Sequence, residues 1–294
     1  MNYRVLILGY GEMGHALEFL LADKHDVHNW SLFTKNILED EAAKAEVILF
    51  CLPVNAHDEI LHRVAPVIRN NSLCLSIAKG LNEAGKTASQ IFGSVLTDDS
   101  PFGVLYGPMI SEEIRLGRLA FADVALSDPA AYPIIRNLFS GSTLICKQVE
   151  DMHGSNWSVI LKNVYAILFG IADELQLGDN VRGHLMVSSL AELAAIVSLF
   201  GAKTSTPYSY AGLGDLLTTA TSEDSHHHEL GRKLAKGQYT DMSGEGIHTL
   251  EMVKKFHLFK YADFPLFNLV SNIVASPENL RSLLDAYLNQ LKKW

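Results

Sequence analysis

A glycine-rich segment near the amino terminus constrains the fold more than any other part of the sequence. The apolar run YRVLILG at residues 3–9 is typical of a strand that is buried on both faces. It leads directly into GYGEMG at residues 9–14, and a helical pattern follows over residues 14–24. A buried strand, a glycine turn and a helix in this order predict the start of a βαβ unit.

The spacing G-x-G-x-x-G predicts a dinucleotide-binding turn, with a purely structural turn as the alternative. Gly9 permits the tight turn, Gly11 lets the backbone approach a pyrophosphate, and Gly14 allows close packing of the helix. The helix N-terminus offers N–H groups and a positive dipole to the anion. Glu12 fits such a site only if its carboxylate points away. The cofactor-binding residues predicted in this turn are Gly9, Gly11, Glu12, Met13 and Gly14.

The residues after the second strand bear on the choice between NAD and NADP. NAD-binding turns usually have an acidic residue about 20 residues further on, which binds the ribose 2′-hydroxyl. This sequence reads HNWSLFTKN at residues 28–36 and has no carboxylate there. Trp30 and Ser31 are assigned to the cofactor site. The hydroxyls of Ser31 and Thr34 and the ammonium of Lys35 could accept a 2′-phosphate, or they could be solvated loop residues. The predicted cofactor is NAD or NADP, with NADP favoured.

The first half of the chain alternates strand and helix patterns, which predicts a doubly wound, mostly parallel sheet. Beyond about residue 151 long apolar or amphipathic helices replace this alternation. We therefore predict an α/β Rossmann domain over residues 1–150 and an all-α domain over residues 151–294. Further strands are predicted at 26–30, 46–52, 72–78, 102–107 and 121–127, and helices at 56–68 and 84–92.

Composition excludes several classes of protein. The net charge is −9 and no dense Lys/Arg run occurs, so a nucleic-acid partner is not expected. Cys51, Cys74 and Cys146 form no CxxC pair and are typical of a reducing compartment, so we expect a cytoplasmic protein. The apolar stretch at residues 183–202 contains His184 and Glu192, which favours a core helix over a membrane span.

Short motifs in a fixed order resemble the NAD(P)-dependent sn-glycerol-3-phosphate dehydrogenase family over almost the whole chain. The most specific are LKNV at residues 161–164 and AGLGDL at residues 211–216 with Thr219. The others are AKGL at 78–81, YGP at 106–108 and GEG at 244–246.

The resemblance implies hydride transfer between a nicotinamide and the reacting carbon of dihydroxyacetone phosphate or sn-glycerol 3-phosphate. It implies that Lys162 is the general acid/base and Lys79 a second active-site lysine, also near the cofactor. Asp215 and Thr219 would hold and polarise the reacting centre. The remaining assignments are Gly107, Met109, Asn163 and Ser225 at the substrate, and Ser111 and Glu245 at the nucleotide.

The chemistry of a lysine pair suits this reaction independently of the family. Hydride delivery to a ketone builds negative charge on oxygen, which a cationic lysine can stabilise and protonate. Apolar stretches flank Lys162, which favours a functional lysine over a solvated one on a helix surface. Asp215 could instead be a helix cap, and Lys79 a surface residue at a strand end.

The chain departs from the family around the substrate phosphate. The family has an Arg-Asn pair where this sequence has His226-His227, and a small polar residue where it has Met109. A Gly-Gly pair is replaced by Ser158 and Val159. The connection at residues 31–44 is also shorter than in the family.

These departures leave three alternatives open. His226 or His227 could bind the phosphate as imidazolium, the substrate could be another small keto or β-hydroxy acid, or the protein could be a nucleotide-binding regulator with reduced activity. A metal is not expected, because the histidine run has no accompanying ligands at metal-binding spacing. The expected partner is a phosphorylated or acidic small molecule, with no membrane. A homodimer and a monomer both stay open.

Overall fold

A computed structural model describes residues 1–97, 99–222, 225–240 and 242–293. The chain divides into two compact units, Met1–Asn156 and Trp157–Trp294.

The first unit is built on a seven-stranded sheet with the order β2-β1-β3-β4-β5-β6-β7. All neighbouring strands are parallel except β5 and β6, which are antiparallel. The strand order reverses between β1 and β3, where doubly wound sheets bind their ligands. The strands are β1 Arg4–Leu8, β2 Asp26–Trp30, β3 Val47–Phe50, β4 Leu73–Ser76, β5 Phe102–Tyr106, β6 Ala120–Leu126 and β7 Leu144–Val149.

Apolar side chains cover both faces of this sheet. Val5 and Ile7 of β1 belong to one hydrophobic cluster, while Leu6 and Leu8 belong to another, because successive side chains of a strand point to opposite faces. Two buried faces explain why the central strands β1, β3 and β4 read as nearly continuous apolar runs. The helices of this unit are α1 Glu12–Leu21, α2 Leu38–Ala42, α3 Val54–Val64, α4 Ala88–Val95, α5 Ser111–Arg115 and α6 Tyr132–Leu138.

The structure confirms the predicted fold class and differs from the sequence analysis in detail. Strand β7 was missed, since most of its side chains are exposed or half-buried and give no apolar run. The helix predicted over 84–92 begins only at Ala88, because Thr87 forms a capping box with Gln90. Before that cap, the Asn82 side chain accepts the N–H groups of Ala84 and Lys86 and holds a turn.

Among its described residues, the regular elements of the second unit are all helices. A π-helical turn, Tyr210–Gly214, precedes α9. The helices are α7 Met152–Glu174, in which the division between the units falls, α8 Asp179–Leu199, α9 Asp215–Thr221, α10 His226–Ala235, α11 Glu245–Phe256, α12 Pro265–Ala275 and α13 Leu280–Leu291.

Helix α8 is long and apolar enough to cross a membrane by length and composition, and 39% of its apolar window is buried. Its Glu192 side chain accepts hydrogen bonds from the N–H groups of Leu266 and Phe267, at the start of α12, and from the Tyr165 hydroxyl. These contacts make α8 an integral part of the helical unit.

Helices α7 and α10 pack with their backbones in contact. A Cβ atom at Gly170 would lie 1.9 Å from the His228 carbonyl oxygen, and one at Gly231 would lie 2.1 Å from that of Ile167. Only glycine fits at such distances. These two glycines fix the position of α10, whose first residues are His226 and His227, on α7.

Candidate active site

The glycine-rich turn has the geometry that its spacing predicts. Gly9 has a φ of +95°, and its N–H donates to the Trp30 carbonyl at 2.9 Å. A Cβ atom at Gly14 would lie 2.3 Å from the Gly9 carbonyl oxygen, so α1 packs directly against the turn. Both positions therefore require glycine for the fold itself.

Gly11 differs because, apart from its neighbours in the chain, no protein atom lies within 4 Å of the position that its Cβ would take. It is the N-cap of α1, and no side chain caps that helix end. Open space beside an uncapped helix N-terminus suits the pyrophosphate of a dinucleotide. The Glu12 carboxylate forms an ion pair with Arg115 of α5, which neutralises its charge. Met13 is half-buried against the core.

The segment after β2 lacks any carboxylate over residues 31–37. The Trp30 ring is 6% exposed and packs in the core, with the Arg63 guanidinium 5.7 Å from its centre. The Thr34 hydroxyl accepts the Ser31 N–H and donates to the Ser31 carbonyl, which makes a tight turn. Packing in the core accounts for a large apolar side chain at position 30. Contact of Trp30 with the cofactor stays a prediction.

Three further residues assigned to the site lie in the segment after β5. A Cβ atom at Gly107 would lie 2.3 Å from the Phe121 carbonyl oxygen, so the close approach of β6 explains this glycine. Met109 is 6% exposed and belongs to the core cluster, and the Ser111 hydroxyl donates to Glu112 at 2.9 Å. Their contacts with ligands stay predictions.

Lys162, Asp215 and Thr219 meet in the second unit. The Lys162 ammonium lies 3.1 Å from Asp215 Oδ1 and donates to the Thr219 hydroxyl at 2.6 Å. The three residues are 4%, 3% and 8% exposed. The Thr219 hydroxyl donates in turn to the Asp215 carbonyl at 2.7 Å, which leaves its oxygen to accept from the lysine. A buried opposite charge at this distance stabilises the ammonium.

The AGLGDL motif explains how Asp215 reaches this position. A Cβ atom at Gly212 would lie 2.1 Å from the Pro207 carbonyl oxygen, so the π-helical turn closes against residue 207. Asp215 then begins α9, and Thr219 follows one helical turn later on the same face. Asp215 is thus the first residue of a helix as well as the partner of Lys162.

A second group of predicted residues surrounds Gly246. A Cβ atom there would lie 2.8 Å from the Asn163 carbonyl oxygen and 3.3 Å from His227 Nδ1. His226 Nε2 lies 3.1 Å from the Ser243 carbonyl oxygen, at the loop that precedes α11. Ser225 caps α10 and Glu245 begins α11. Asn163 directly follows Lys162, so the histidines and the buried lysine belong to one region of the second unit.

Sequence reasoning missed the contacts that hold α10 in place. His228 Nε2 lies 2.7 Å from Asp173 Oδ2, and the other oxygen of Asp173 pairs with Arg182 of α8. The Arg182 guanidinium also reaches the Ala220 carbonyl at the end of α9, at 3.4 Å. These residues lie far apart in sequence and form no local motif. Within the described ranges, no group of three His, Cys, Asp or Glu residues could hold a metal ion.

A Rossmann-type sheet with a glycine-rich turn, followed by a helical unit with a buried lysine, is the arrangement of a two-domain nicotinamide-dependent dehydrogenase. Two family models match, described as the N-terminus and the C-terminus of NAD-dependent glycerol-3-phosphate dehydrogenase, over residues 31–132 and 151–285. The chain belongs to the NAD-dependent glycerol-3-phosphate dehydrogenase family, as the sequence motifs predicted.

Individual relatives agree with this assignment. A glycerol-3-phosphate dehydrogenase (NAD(P)+) of Agrobacterium fabrum is 30% identical over an alignment of 303 positions, which covers 92% of each chain. The corresponding protein of Synechococcus elongatus is 33% identical over 238 residues, or 79% of this chain and 76% of the relative. The crystal structure of glycerol-3-phosphate dehydrogenase from Coxiella burnetii has the same fold, with a TM-score of 0.85, 23% identity and coverage of 98% and 99%.

Proposed function

We propose that the protein interconverts dihydroxyacetone phosphate and sn-glycerol 3-phosphate, with NAD(H) or NADP(H) as the hydride carrier. The observation that carries this proposal is the buried Lys162–Asp215 ion pair with Thr219 at the lysine nitrogen. Membership of the glycerol-3-phosphate dehydrogenase family supports the choice of substrate.

Lys162 is the general acid/base of this reaction. Its ammonium stabilises the negative charge that develops on the ketone oxygen during reduction and gives that oxygen a proton. In the reverse direction the neutral amine takes the proton from the alcohol. Asp215 and Thr219 fix the direction of the Lys162 nitrogen, so that little reorganisation accompanies the proton transfer. The carboxylate of Asp215 also favours the charged form of the lysine. Lys79 is the second lysine that we assign to the active site.

The glycine-rich turn would hold the pyrophosphate of the cofactor. Gly11 leaves the space for it, and the first N–H groups of α1 would donate to it. When bound, the nicotinamide supplies and accepts the hydride. We favour NADP, because the segment at residues 31–37 has no carboxylate to repel a 2′-phosphate and includes Lys35. The cofactor therefore belongs to the predicted 1–150 domain and the substrate to the 151–294 domain.

His226 and His227 are the residues that we assign to the substrate phosphate. They replace the arginine and asparagine that the resemblance predicted. His227 lies beside Asn163 and Gly246, and His226 lies beside Ser243, in the same unit as Lys162. An imidazolium can donate to a phosphate, although only while it is protonated. We further expect a cytoplasmic protein. Whether the chain forms a homodimer stays a prediction, which the molecular mass from sedimentation velocity tests.

Steady-state oxidation of NADH and NADPH tests the proposal. The purified protein should turn over dihydroxyacetone phosphate and leave unphosphorylated 2-keto acids unchanged. Turnover restricted to a keto acid would instead identify a reductase of another small substrate. Cofactor binding with no turnover on any substrate would indicate a nucleotide-binding regulator. Fluorescence titration with each nucleotide decides between NAD and NADP.

A further inference from the structure

The short segment that joins β4 to Lys79 is held by side chains rather than by the sheet. The last ladder hydrogen bond from β4 to β3 runs from the Ile77 N–H to the Phe50 carbonyl. Beyond it, both backbone hydrogen-bonding groups of Ala78 are engaged by buried side chains. We propose that His57, acting through Ser76, and Tyr106 are positioning residues that set the place of Lys79. This proposal rests on the active-site role of Lys79 in the proposed function.

His57 and Ser76 hold the N–H side of Ala78. The Ala78 N–H donates to the Ser76 hydroxyl at 3.1 Å, and that hydroxyl lies 2.9 Å from His57 Nε2. His57 Nδ1 lies 3.1 Å from the Pro53 carbonyl oxygen. His57 and Ser76 are both 0% exposed.

Only one arrangement of protons satisfies these contacts. A carbonyl oxygen can only accept, so His57 Nδ1 carries the proton and Nε2 is the acceptor. The Ser76 hydroxyl therefore donates to Nε2, and its lone pair is directed to the Ala78 N–H. Burial between Phe50 and Phe92 lowers the pKa of His57 to about 4, which keeps the ring neutral and Nε2 available as an acceptor.

Tyr106 holds the carbonyl side of the same residue. Its hydroxyl donates to the Ala78 carbonyl oxygen at 2.8 Å, which is the shorter of its two contacts. Asn156 Oδ1 is a second acceptor at 3.2 Å, and the Asn156 amide nitrogen donates to Ser89 at 3.0 Å and to the Met152 carbonyl at 2.7 Å. Tyr106 is itself fully buried.

These contacts fix the peptide groups on both sides of Ala78, and the second of them is the peptide bond to Lys79. Lys79 is half-buried, at the carboxyl end of a parallel strand, where sheets of this kind bind their ligands. His57 and Ser76 are fully buried, so they act on the reaction only through the backbone that they hold. A displacement of about 1 Å at a reacting group can cost a hundredfold in rate.

Two buried serines, Ser72 just before β4 and Ser76 at its last position, provide a matched test. Ser76→Ala removes the contact to Ala78, whereas Ser72→Ala removes an equivalent buried hydrogen bond to the Ala45 carbonyl at 2.8 Å. Both should lower the melting temperature by similar amounts. Ser76→Ala should also lower kcat/KM about tenfold to a hundredfold, and Ser72→Ala should leave it unchanged. Equal effects of the two variants on kcat/KM would overturn the proposal.

A double-mutant cycle separates positioning from a general loss of structure. Lys79→Met should lower kcat/KM, and adding Ser76→Ala or Tyr106→Phe to it should cause no further loss. Full additivity would overturn the proposal while leaving the proposed function intact. His57→Gln retains an acceptor near Ser76 and should keep most of the activity, whereas His57→Asn retains only the donor to Pro53 and should resemble Ser76→Ala.

A readout without turnover distinguishes failure of this proposal from failure of the proposed function. After reductive methylation with ¹³C-formaldehyde, the dimethyl-lysine NMR signal of Lys79 can be assigned by its loss in Lys79→Met. Ser76→Ala should shift that signal, and Ser72→Ala should not. An unmoved signal in Ser76→Ala would overturn the positioning proposal, whichever substrate the enzyme reduces.

Discussion

The two units of the molecule provide for charged ligands by different means. In the first unit the glycine-rich turn offers backbone N–H groups and open space at Gly11, and it needs no buried charge. In the second unit Lys162 and Asp215 are buried charges that hold each other in place. The site at the glycine-rich turn thus depends on which positions lack a side chain. The site at Lys162 depends on the packing of helices that are distant in sequence.

This difference has energetic consequences. A helix N-terminus meets an anion without desolvating a charged side chain, so it suits an acidic protein with a net charge of −9. A buried ion pair costs desolvation for both partners, and removal of one partner leaves an unpaired charge in the interior. Substitutions at the glycine-rich turn should therefore be able to lower cofactor binding without lowering stability. Substitutions at the Lys162–Asp215 pair should lower both activity and stability.

The largest expected effect is that of Lys162→Met on turnover. Loss of the general acid should lower kcat by about 10²–10⁴, while NADPH affinity stays within about twofold because the glycine-rich turn is untouched. Stopped-flow and fluorescence titration measure the two quantities. Lys260→Met, which removes an exposed lysine of the same unit, is the matched control. Retained turnover in Lys162→Met would remove this lysine from the mechanism.

The same variant should also be unstable, because Asp215 loses the opposite charge of Lys162 in a buried position. A cost of about 3–5 kcal/mol is expected for breaking such a pair. Lys162→Met combined with Asp215→Asn should recover much of the unfolding free energy in urea and still show no turnover. If stability did not recover, packing rather than charge would explain the loss.

The next effect is the change of stability with pH, to which His57 and Glu192 contribute in opposite directions. The pKa of His57 is lowered by burial from 6.5 to about 4, so between these values the unfolded chain binds the extra proton. Stability therefore rises with pH from about 4 to 6.5 and is lost on acidification, by about 3 kcal/mol in total. Urea unfolding at a series of pH values should show this slope, and His57→Gln should remove it.

Glu192 in the second unit should respond in the opposite direction. Burial raises the pKa of its carboxyl above 4.5, so the folded protein binds the proton more tightly and stability falls as pH increases above that value. Glu192→Gln removes this opposing contribution and should make the acid loss steeper. A flatter profile in that variant would contradict the assignment.

The units also differ in how much of them could be predicted from the sequence. Strands β1 to β6 and the turn at residues 9–14 follow from local strand patterns and glycine spacing, which act within a few residues. Lys162 contacts Asp215 of α9, which lies 53 positions later in the sequence. Asp173 contacts His228, which lies 55 positions later, and Arg182 of the following helix. These contacts depend on how the helices pack, and no local pattern encodes them. Only the family resemblance pointed to Asp215 and Thr219.

Alanine at two glycines of the same turn separates fold from cofactor binding. Gly14→Ala places a Cβ atom 2.3 Å from a backbone oxygen and should destabilise the protein by about 3 kcal/mol. Gly11→Ala meets no protein atom within 4 Å, so thermal stability should hold while dinucleotide affinity falls by about 1–2 kcal/mol. Equal loss of stability in both variants would indicate that Gly11 also has a structural role.

The smallest expected effect is that of a positive charge at position 226 on substrate binding. The His226 side chain is exposed, and exposed ion pairs contribute about 0.2–1 kcal/mol. His226→Arg carries a permanent charge, so its KM for dihydroxyacetone phosphate should be lower than that of His226→Ala by at most about fivefold. Steady-state kinetics of the two variants measure this ratio, and equal KM values would place the phosphate elsewhere.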